Sequence, residues 1–337
     1  MKLRFVDWFA GIGGFRLGLE LAGGFECVCA CEIDKHRRMI YRFHWGEDDE
    51  KRGVPLFADS RTVDVAEVPR HDLFCAGFPC QSFSVAGKRK GFADTRGVLF
   101  FEICRIVGAK KPRYLLLENV KGLLSLDKGS AFQTVLRSLD ELGYDLQWAV
   151  LDSRHFGVPQ RRQRVFIVGH LRGTPRPEVF PLGERPEAHS EDGGQEGRDR
   201  LETALCLRAG TRQRYDGETL ILRRVGTVGR GLRGQRIYST GGLAVALSAE
   251  GGGWGAKTGL YLVKDGNLYS VRKLTPLECE RLQGFPDGWT RFGKTEGGET
   301  VPMSDTQRYK ALGDAVTVPV VASLGRKLKE SFGRSDG

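Results

Sequence analysis

The sequence lacks the features that mark secreted, membrane-bound or repetitive proteins. It has no secretory signal, no apolar run long enough to span a bilayer, no internal repeat and no low-complexity tract. Its eight cysteines form no repeated framework of the kind seen in disulfide-rich or zinc-binding domains. We therefore expect a cytoplasmic protein with reduced thiols, no membrane association and no metal site.

Three cysteines alternate within one apolar segment. If residues 25–31 form a strand, Cys27, Cys29 and Cys31 would share one of its faces. A buried strand face explains this pattern better than metal ligation does.

Acidic residues are scarce relative to basic ones. The 337 residues include 52 Lys and Arg against 42 Asp and Glu, which gives a formal net charge of +10. This balance favours a polyanionic partner, because basic side chains displace counterions from phosphates. Charge alone also fits a soluble basic protein that binds no nucleic acid. The length and a hydrophobic content of 40% allow one large domain and a smaller one.

Strand and helix patterns alternate through the first half of the chain. This alternation predicts an α/β fold in which a parallel sheet is covered by helices on both faces, a doubly wound, Rossmann-like arrangement. The predicted strands are 3–9, 25–31, 72–76 and 114–117, and the predicted helices are 15–21, 35–45, 98–107 and 130–142.

The pattern changes after about residue 171. Residues 205–271 contain short strand-like pieces among many Gly and Arg, and helical patterning returns at 276–282 and 304–329. We expect a large domain formed by residues 1–180 and 272–337, interrupted by an irregular β-rich domain at 181–271.

A glycine-rich turn at residues 9–14 follows the first strand. Its spacing differs from the G-x-G-x-x-G of dinucleotide sites and suits a nucleoside cofactor without a pyrophosphate. Glu32 and Asp34 end the second strand, where acids commonly bind ribose hydroxyls. Asp59 ends a short strand, 54–58, where it would accept from an adenine amino group. A plain turn with solvated acids is the alternative interpretation.

A cysteine lies just beyond the apolar segment 71–78. Cys80 follows Pro79, which fixes one backbone angle, and precedes a basic, glycine-containing loop at 82–91. A thiol at the carboxyl end of a strand that faces a basic loop is placed to become a reactive thiolate. Taken alone, the pattern fits a buried, inert cysteine equally well.

A carboxylate and two arginines follow the same logic. Glu118 ends the apolar strand 115–117, where partial burial would raise its pKa and let it hold a proton. Arg162 and Arg164 share one face of the extended segment before 165–169, and their forked donors suit a base carbonyl and a phosphate or carboxylate. A turn acid and a basic surface hairpin are the plainer interpretations.

These groups would together support one reaction. The Cys80 thiolate would add to carbon 6 of cytosine while Glu118 binds the exocyclic amine and protonates nitrogen 3, and Arg164 would hold the base carbonyl. Carbon 5 would then accept a methyl group from a sulfonium donor, lose its proton and release the thiol. Because a stacked base is out of reach, the target would have to be flipped out of the duplex.

The ordered motifs resemble those of the DNA (cytosine-5)-methyltransferase family. The resemblance rests on residues 9–14, 77–81, 118–120, 160–164, 272–276 and 313–316. It implies that Cys80 is the nucleophile, that Glu118 is the acid, and that Arg162 and Arg164 bind the base. The S-adenosylmethionine pocket that it implies comprises Phe9, Gly11, Gly13, Glu32, Asp59, Pro79, Leu99 and Asp314.

The resemblance also implies a target-recognition domain at 181–271 and a loop, 82–97, that closes over double-stranded DNA. The chain looks most similar to HhaI-type bacterial restriction–modification enzymes, which read GCGC, although Arg233 and Asp314 replace the usual glutamine and asparagine. We expect a short GC-containing site, a monomer, and a separately acting endonuclease. The implied DNA contacts are Ser82, Lys88, Arg89, Arg233, Arg236 and Tyr238.

Two other functions stay open at this point. An RNA cytosine-5 methyltransferase would have the same fold, but the long Gly- and Arg-rich segment argues against it. A catalytically silent DNA-binding module is disfavoured by the presence of Cys80, Glu118 and Arg164 together.

Overall fold

The structure is a computed structural model. It describes residues 2–79, 98–177, 179–180, 224–227, 235–240, 242–247, 259–265 and 268–332. Its strands are β1 (Leu3–Trp8), β2 (Phe25–Cys31), β3 (Leu56–Phe57), β4 (Leu73–Gly77), β5 (Tyr114–Val120), β6 (Tyr144–Asp152), β7 (Gln160–Arg161), β8 (Gln163–Leu171), β9 (Arg224–Thr227), β10 (Arg236–Ser239), β11 (Ala244–Val245), β12 (Leu260–Asp265), β13 (Leu268–Arg272), β14 (Phe292–Lys294) and β15 (Thr300–Pro302). The helices are α1 (Gly14–Ala22), α2 (Lys35–Arg52), α3 (Val98–Lys110), α4 (Ser130–Glu141), α5 (Pro276–Gln283), α6 (Asp305–Asp314) and α7 (Val318–Phe332).

Within the described ranges, the central sheet contains seven strands in the order β3-β2-β1-β4-β5-β8-β6. Strands β1 to β5 pair in parallel, and the order reverses between β1 and β4. Ligands bind at such a switch point, outside the carboxyl ends of the strands. The predicted doubly wound α/β fold is therefore confirmed.

One edge of the sheet differs from the prediction. Strand β8 pairs antiparallel with both β5 and β6, and β6 has no counterpart among the predicted strands. The link between β6 and β8 holds only a short 3₁₀ turn, Ser153–Phe156, and strand β7. A parallel pair would need a longer crossover, so the two strands run in opposite directions.

Helices cover both faces of the sheet, because apolar side chains in the central strands point alternately to either side. Leu115 and Leu117 pack with α3 and α4, whereas Leu116 packs with α1 and α7. Helices α1 and α7 approach closely at two glycines: an added Cβ would lie 2.6 Å from the Val321 side chain at Gly18 and 2.9 Å from the Ala22 side chain at Gly325.

The helical pattern at 304–329 forms two helices instead of one. Helix α6 ends at Asp314, and Ala315 has extended angles, with φ −62° and ψ 144°. Pro319, in the first turn of α7, lacks the N–H that a continuous helix would require. The break places Asp314 at the same rim of the sheet as the glycine turn.

The three alternating cysteines of β2 do not share one face, which corrects the prediction. The register between β1 and β2 shifts after Phe5, so that Phe5 pairs with Cys27 and Val6 pairs with Cys29. This bulge turns Cys27 toward the α1 side of the sheet, while Cys29 and Cys31 pack on the α3 side.

The described part of the predicted insertion forms a second sheet with the order β13-β12-β10-β9. Strand β11 leaves this region and pairs in parallel with β7 of the large domain. The part of the predicted strand-like pieces that falls within residues 205–223 lies outside the described residues. The short ladder between β7 and β11 fixes the inserted region against the chain segment that contains Arg162.

Candidate active site

A cavity of about 530 Å³ lies at the carboxyl ends of β1, β4 and β5. Its walls come from the glycine turn, the ends of β2, β4 and β5, the start of β8 and the end of α6. The predicted site residues that line it are Phe9, Gly11, Glu32, Pro79, Leu99, Glu118, Arg162, Arg164 and Asp314.

A wider cleft of about 750 Å³ lies between α2 and the hairpin β14–β15. Its lining includes Lys35, Arg38 and Arg42 but none of the predicted site residues. Glu296 of the hairpin lies 3.2 Å from Arg42 across this cleft. We therefore place the candidate active site in the smaller cavity, where the acids and arginines of several motifs meet.

The glycine turn is fastened to Glu32. Gly11, with φ +59°, donates its N–H to Glu32 Oε2 at 2.7 Å, and Glu32 Oε1 accepts from the Asp34 N–H at 2.8 Å. Burial raises the pKa of Glu32, although the charge of Arg37 opposes that shift. An added Cβ at Gly11 would meet no atom within 4 Å, so the turn leaves open space on the cavity side.

Two residues of the predicted cofactor pocket are absent from the cavity lining. A Cβ at Gly13 would lie 2.2 Å from the Trp45 ring, so this glycine is required by packing beneath the turn. Asp59 forms a bidentate ion pair with Arg61, with distances of 2.6 and 2.9 Å. The Asp59 carboxylate is thus paired with Arg61 and does not line the cavity.

Several residues that the sequence interpretation did not single out support the cavity. Arg37 lines it and forms an ion pair with Asp314, and Trp289 donates its ring N–H to the Ile12 carbonyl at 3.0 Å. These contacts join segments more than 270 residues apart. No local pattern signals such pairs.

Glu118 and Arg164 form the centre of the other side of the cavity. Glu118 is buried, and its Oε1 lies 3.0 Å from Arg164 Nε. Burial raises the pKa of Glu118, and the charge of Arg164 offsets part of that rise. The carboxyl group therefore holds a proton at higher pH than an ordinary glutamate does.

Asn119 connects the end of β5 to the segment that precedes Cys80. Its Nδ2 donates to the Phe78 carbonyl at 2.9 Å, and its Oδ1 accepts from the Val120 N–H. Gly77 pairs with Glu118 across the two strands. Pro79 is the last described residue before Cys80, which lies outside the described residues.

Arg162 differs from Arg164 in its contacts. Its guanidinium is buried and donates to the carbonyls of Leu247, Gly313 and Ala315 at 3.1, 3.2 and 2.9 Å. Three of its five N–H groups are therefore used within the chain. Arg164 is the arginine that contacts the buried carboxylate.

The sequence model of the family of C-5 cytosine-specific DNA methylases matches residues 3–330 of this chain. The chain belongs to this family. It is 38% identical to the type II methyltransferase M.HhaI of Haemophilus parahaemolyticus, across 98% of this chain and 95% of that protein. It is 36% identical to M.NlaX of Neisseria lactamica, across 98% of this chain and 97% of that protein.

A solved structure of another methyltransferase has the same fold as this chain. The Dnmt2 methyltransferase of S. pombe superposes with a TM-score of 0.68 at 22% identity, covering 98% of this chain and 99% of that chain. The activity of this DNA methylase is thus methyl transfer to carbon 5 of cytosine in DNA.

Two of the six predicted DNA contacts, Arg236 and Tyr238, lie in the described part of the inserted region of the methylase. Arg236 begins β10 and is partly buried, while the Tyr238 ring is buried against Tyr261, with ring centroids 5.9 Å apart. Tyr238 therefore supports the second sheet from within instead of presenting its ring to solvent. Ser82, Lys88, Arg89 and Arg233 lie outside the described residues.

The described residues of the methylase contain no cluster of three or more His, Cys, Asp or Glu side chains suited to a metal ion. No described helix is long and apolar enough to cross a membrane.

Proposed function

We propose that this methylase uses S-adenosylmethionine to methylate a cytosine flipped out of duplex DNA, within a short GC-containing site. The observation that carries the proposal is a single cavity whose walls include both the glycine turn fastened to Glu32 and the pair Glu118–Arg164. The first wall suits a nucleoside cofactor and the second suits a polar base.

The cofactor side of the cavity fits such a donor. Gly11 leaves room for a close approach, and Glu32 keeps free lone pairs for a ribose hydroxyl beside its two backbone contacts. Asp314, at the end of α6, offers an acceptor, and its ion-pair partner Arg37 of α2 offers a donor. When bound, S-adenosylmethionine supplies an electrophilic methyl group.

On the base side, each residue has a distinct task. Cys80 adds through its thiolate to carbon 6 of the cytosine, while Glu118 delivers its proton to ring nitrogen 3. Arg164 holds the base carbonyl and orients Glu118. Carbon 5 becomes nucleophilic, and after methylation its proton leaves and the bond from sulfur to carbon 6 breaks. The thiolate is thereby regenerated.

The relatives support a biological setting for this activity. M.HhaI and M.NlaX are type II methyltransferases, and we propose that this chain belongs to a bacterial restriction–modification system with a separately acting endonuclease. We propose that the enzyme is a monomer, that GCGC is the leading target, and that Arg233 and Arg236 read guanines. Ser82, Lys88 and Arg89 of the loop at 82–97 would contact the DNA strands.

Methyl transfer and bisulfite sequencing test this function together. Purified enzyme with methyl-labelled S-adenosylmethionine should label duplex DNA and not tRNA, and bisulfite sequencing should reveal one short methylated motif. A 5-fluorocytosine duplex should form an adduct that survives denaturation with the wild type and not with Cys80→Ala. Labelling of tRNA in preference to DNA would instead support the RNA enzyme.

A second experiment tests target reading. Arg233→Ala and Arg236→Ala should relax or alter the methylated motif if these arginines read bases, at a cost of about 1–3 kcal/mol per base pair. An unchanged motif at lower yield would mean that they only neutralise phosphates.

A further inference from the structure

One residue of the inserted region is held at both of its backbone polar groups. Leu247 is buried and follows strand β11, and its N–H donates to Gln160 Oε1 at 3.0 Å. Its carbonyl accepts from Arg162 Nη1 at 3.1 Å. Because Gln160 and Arg162 are two residues apart, a single segment of the large domain grips Leu247 from both sides.

The same Arg162 guanidinium reaches the wall of the cofactor side of the cavity. Its Nη2 donates to the Gly313 and Ala315 carbonyls, at 3.2 and 2.9 Å. These two residues flank Asp314, which lines the cavity together with Arg37, its partner in an ion pair. One planar group therefore joins the inserted region to both neighbours of a cavity residue.

This junction is stiff for physical reasons. Arg162 is 1% exposed, so water cannot replace the guanidinium at the Leu247 and Gly313 carbonyls if it moves away, whereas the Ala315 carbonyl also accepts from Gln283 Nε2 at 3.2 Å. Displacing Leu247 must then either shift Gly313 and Ala315 or break a buried hydrogen bond. A hydrogen-bonded connection of this kind can transmit a bias between two sites.

We propose that Arg162 is a positioning residue that couples DNA binding by the inserted region to cofactor binding beside Asp314. The inference rests on the proposed function, because it takes DNA and S-adenosylmethionine as the two ligands. Coupling is reciprocal, so DNA must raise the affinity for the cofactor by the same factor by which the cofactor raises the affinity for DNA. Arg162 thus acts through the backbone of residues 313–315 and not through the base.

The test compares two variants that each remove one tie to the segment 244–247. Arg162→Lys keeps the positive charge but cannot span three carbonyls. Tyr261→Phe removes only the hydroxyl that accepts from the Val245 N–H at 3.1 Å. The dissociation constant of S-adenosylhomocysteine is measured by calorimetry for each protein, with and without plasmid fragments that contain the target motif in its unmethylated form.

We expect DNA to lower the dissociation constant of S-adenosylhomocysteine about fivefold or more in the wild type and in Tyr261→Phe, within the usual range of coupling. In Arg162→Lys the ratio of the two constants should fall close to one. A wild type without coupling would overturn the proposal, and so would Arg162→Lys with an unchanged ratio, even if its affinity for S-adenosylhomocysteine were lower in both conditions. Failure of the wild type to bind S-adenosylhomocysteine at all would instead refute the proposed function.

Hydrogen exchange provides a measurement that does not depend on the folding of the variant. In the wild type, S-adenosylhomocysteine alone should slow exchange in peptides that cover residues 244–247, although these residues do not line the cavity. Protection at 311–316 without protection at 244–247 would overturn the coupling.

Discussion

Glu118 shows how one side chain acquires its chemistry from its surroundings. It lies near the end of the buried strand β5, where burial removes water from its carboxyl group and raises its pKa, while Arg164 at 3.0 Å opposes part of that rise. The sequence predicts the burial, since Glu118 follows an apolar run. It does not reveal that Arg164 is the direct partner, because that pairing depends on the antiparallel register of β5 and β8.

Replacing Glu118 by Gln should lower the methyl-transfer rate at least about 100-fold, because an amide cannot deliver the proton. Gln still accepts from Arg164, so DNA affinity should stay within a few-fold of the wild type. Single-turnover kinetics and a gel-shift assay check the two expectations, with Glu141→Gln on the exposed end of α4 as control. A rate close to the wild type would make Glu118 structural.

The described cysteines should be unreactive in the folded enzyme. Burial raises the pKa of Cys27 and Cys104 to about 12, and it raises those of Cys29, Cys31, Cys75 and Cys279 as well. Only a minute fraction of each thiol is ionised at pH 8, and the thiolate is the nucleophile. Iodoacetamide at pH 8 should therefore leave these six unmodified, as judged by peptide mass spectrometry, until urea is added. Rapid alkylation of Cys27 or Cys29 in native protein would contradict this expectation.

The glycine turn combines two different demands within three residues. Gly13 is the N-cap residue before α1 and has no room for a side chain, whereas Gly11 faces open space in the cavity. The sequence shows both glycines but cannot show which one packs against the protein and which one leaves space for a ligand. That distinction comes from Trp45, which lies on a different helix.

Alanine at these two positions should separate stability from ligand binding. Gly13→Ala should cost about 3 kcal/mol or more of unfolding free energy, because its Cβ overlaps the Trp45 ring and φ is +83°. Gly11→Ala should cost only about 1 kcal/mol, from its positive φ. Gly11→Ala should weaken the binding of S-adenosylhomocysteine, because the added alanine methyl group enters the cavity. Urea unfolding and calorimetry measure both quantities, and equal stability losses would contradict the assignment.

Local patterns predict some elements and miss others for identifiable reasons. Strand β2 and the starts of α2, α3 and α4 agree with their predicted residues, because apolar periodicity and glycine boundaries are local signals. Strand β6 alternates partly buried and exposed residues at the sheet edge, including the half-exposed Trp148, so it lacks the continuous apolar run of the central strands. The pair Arg37–Asp314 joins α2 to α6 and is invisible before the chain is folded.

The molecule also contains carboxyl groups whose burial makes its stability depend on pH. Asp7 lies in the middle of the sheet and is fully buried, and this desolvation raises its pKa well above the usual value. The folded state therefore binds a proton that the unfolded state releases at pH values between the two pKa values. Stability contributed by this proton is complete below about pH 4 and declines as pH rises toward the folded pKa.

Asp7→Asn should flatten the dependence of stability on pH. Within the window between the two pKa values, the free energy of unfolding of the wild type should fall by about 1.4 kcal/mol per pH unit more than that of the variant. Urea unfolding at pH 5, 6 and 7 measures both slopes, with Glu141→Gln as the exposed control. Parallel lines for the wild type and Asp7→Asn would show that Asp7 is charged in the folded enzyme.

The close packing of α1 against α7 has a consequence for the order of synthesis. Helix α1 begins at Gly14, yet Val321 and Gly325, which contact it, belong to a helix that begins at Val318. A ribosome must therefore translate the inserted region and the segment up to α7 before α7 can pack against α1, the helix that follows the glycine turn. Nascent chains should therefore remain inactive until α7 emerges, so a message truncated before codon 318 would leave its host's DNA unmethylated.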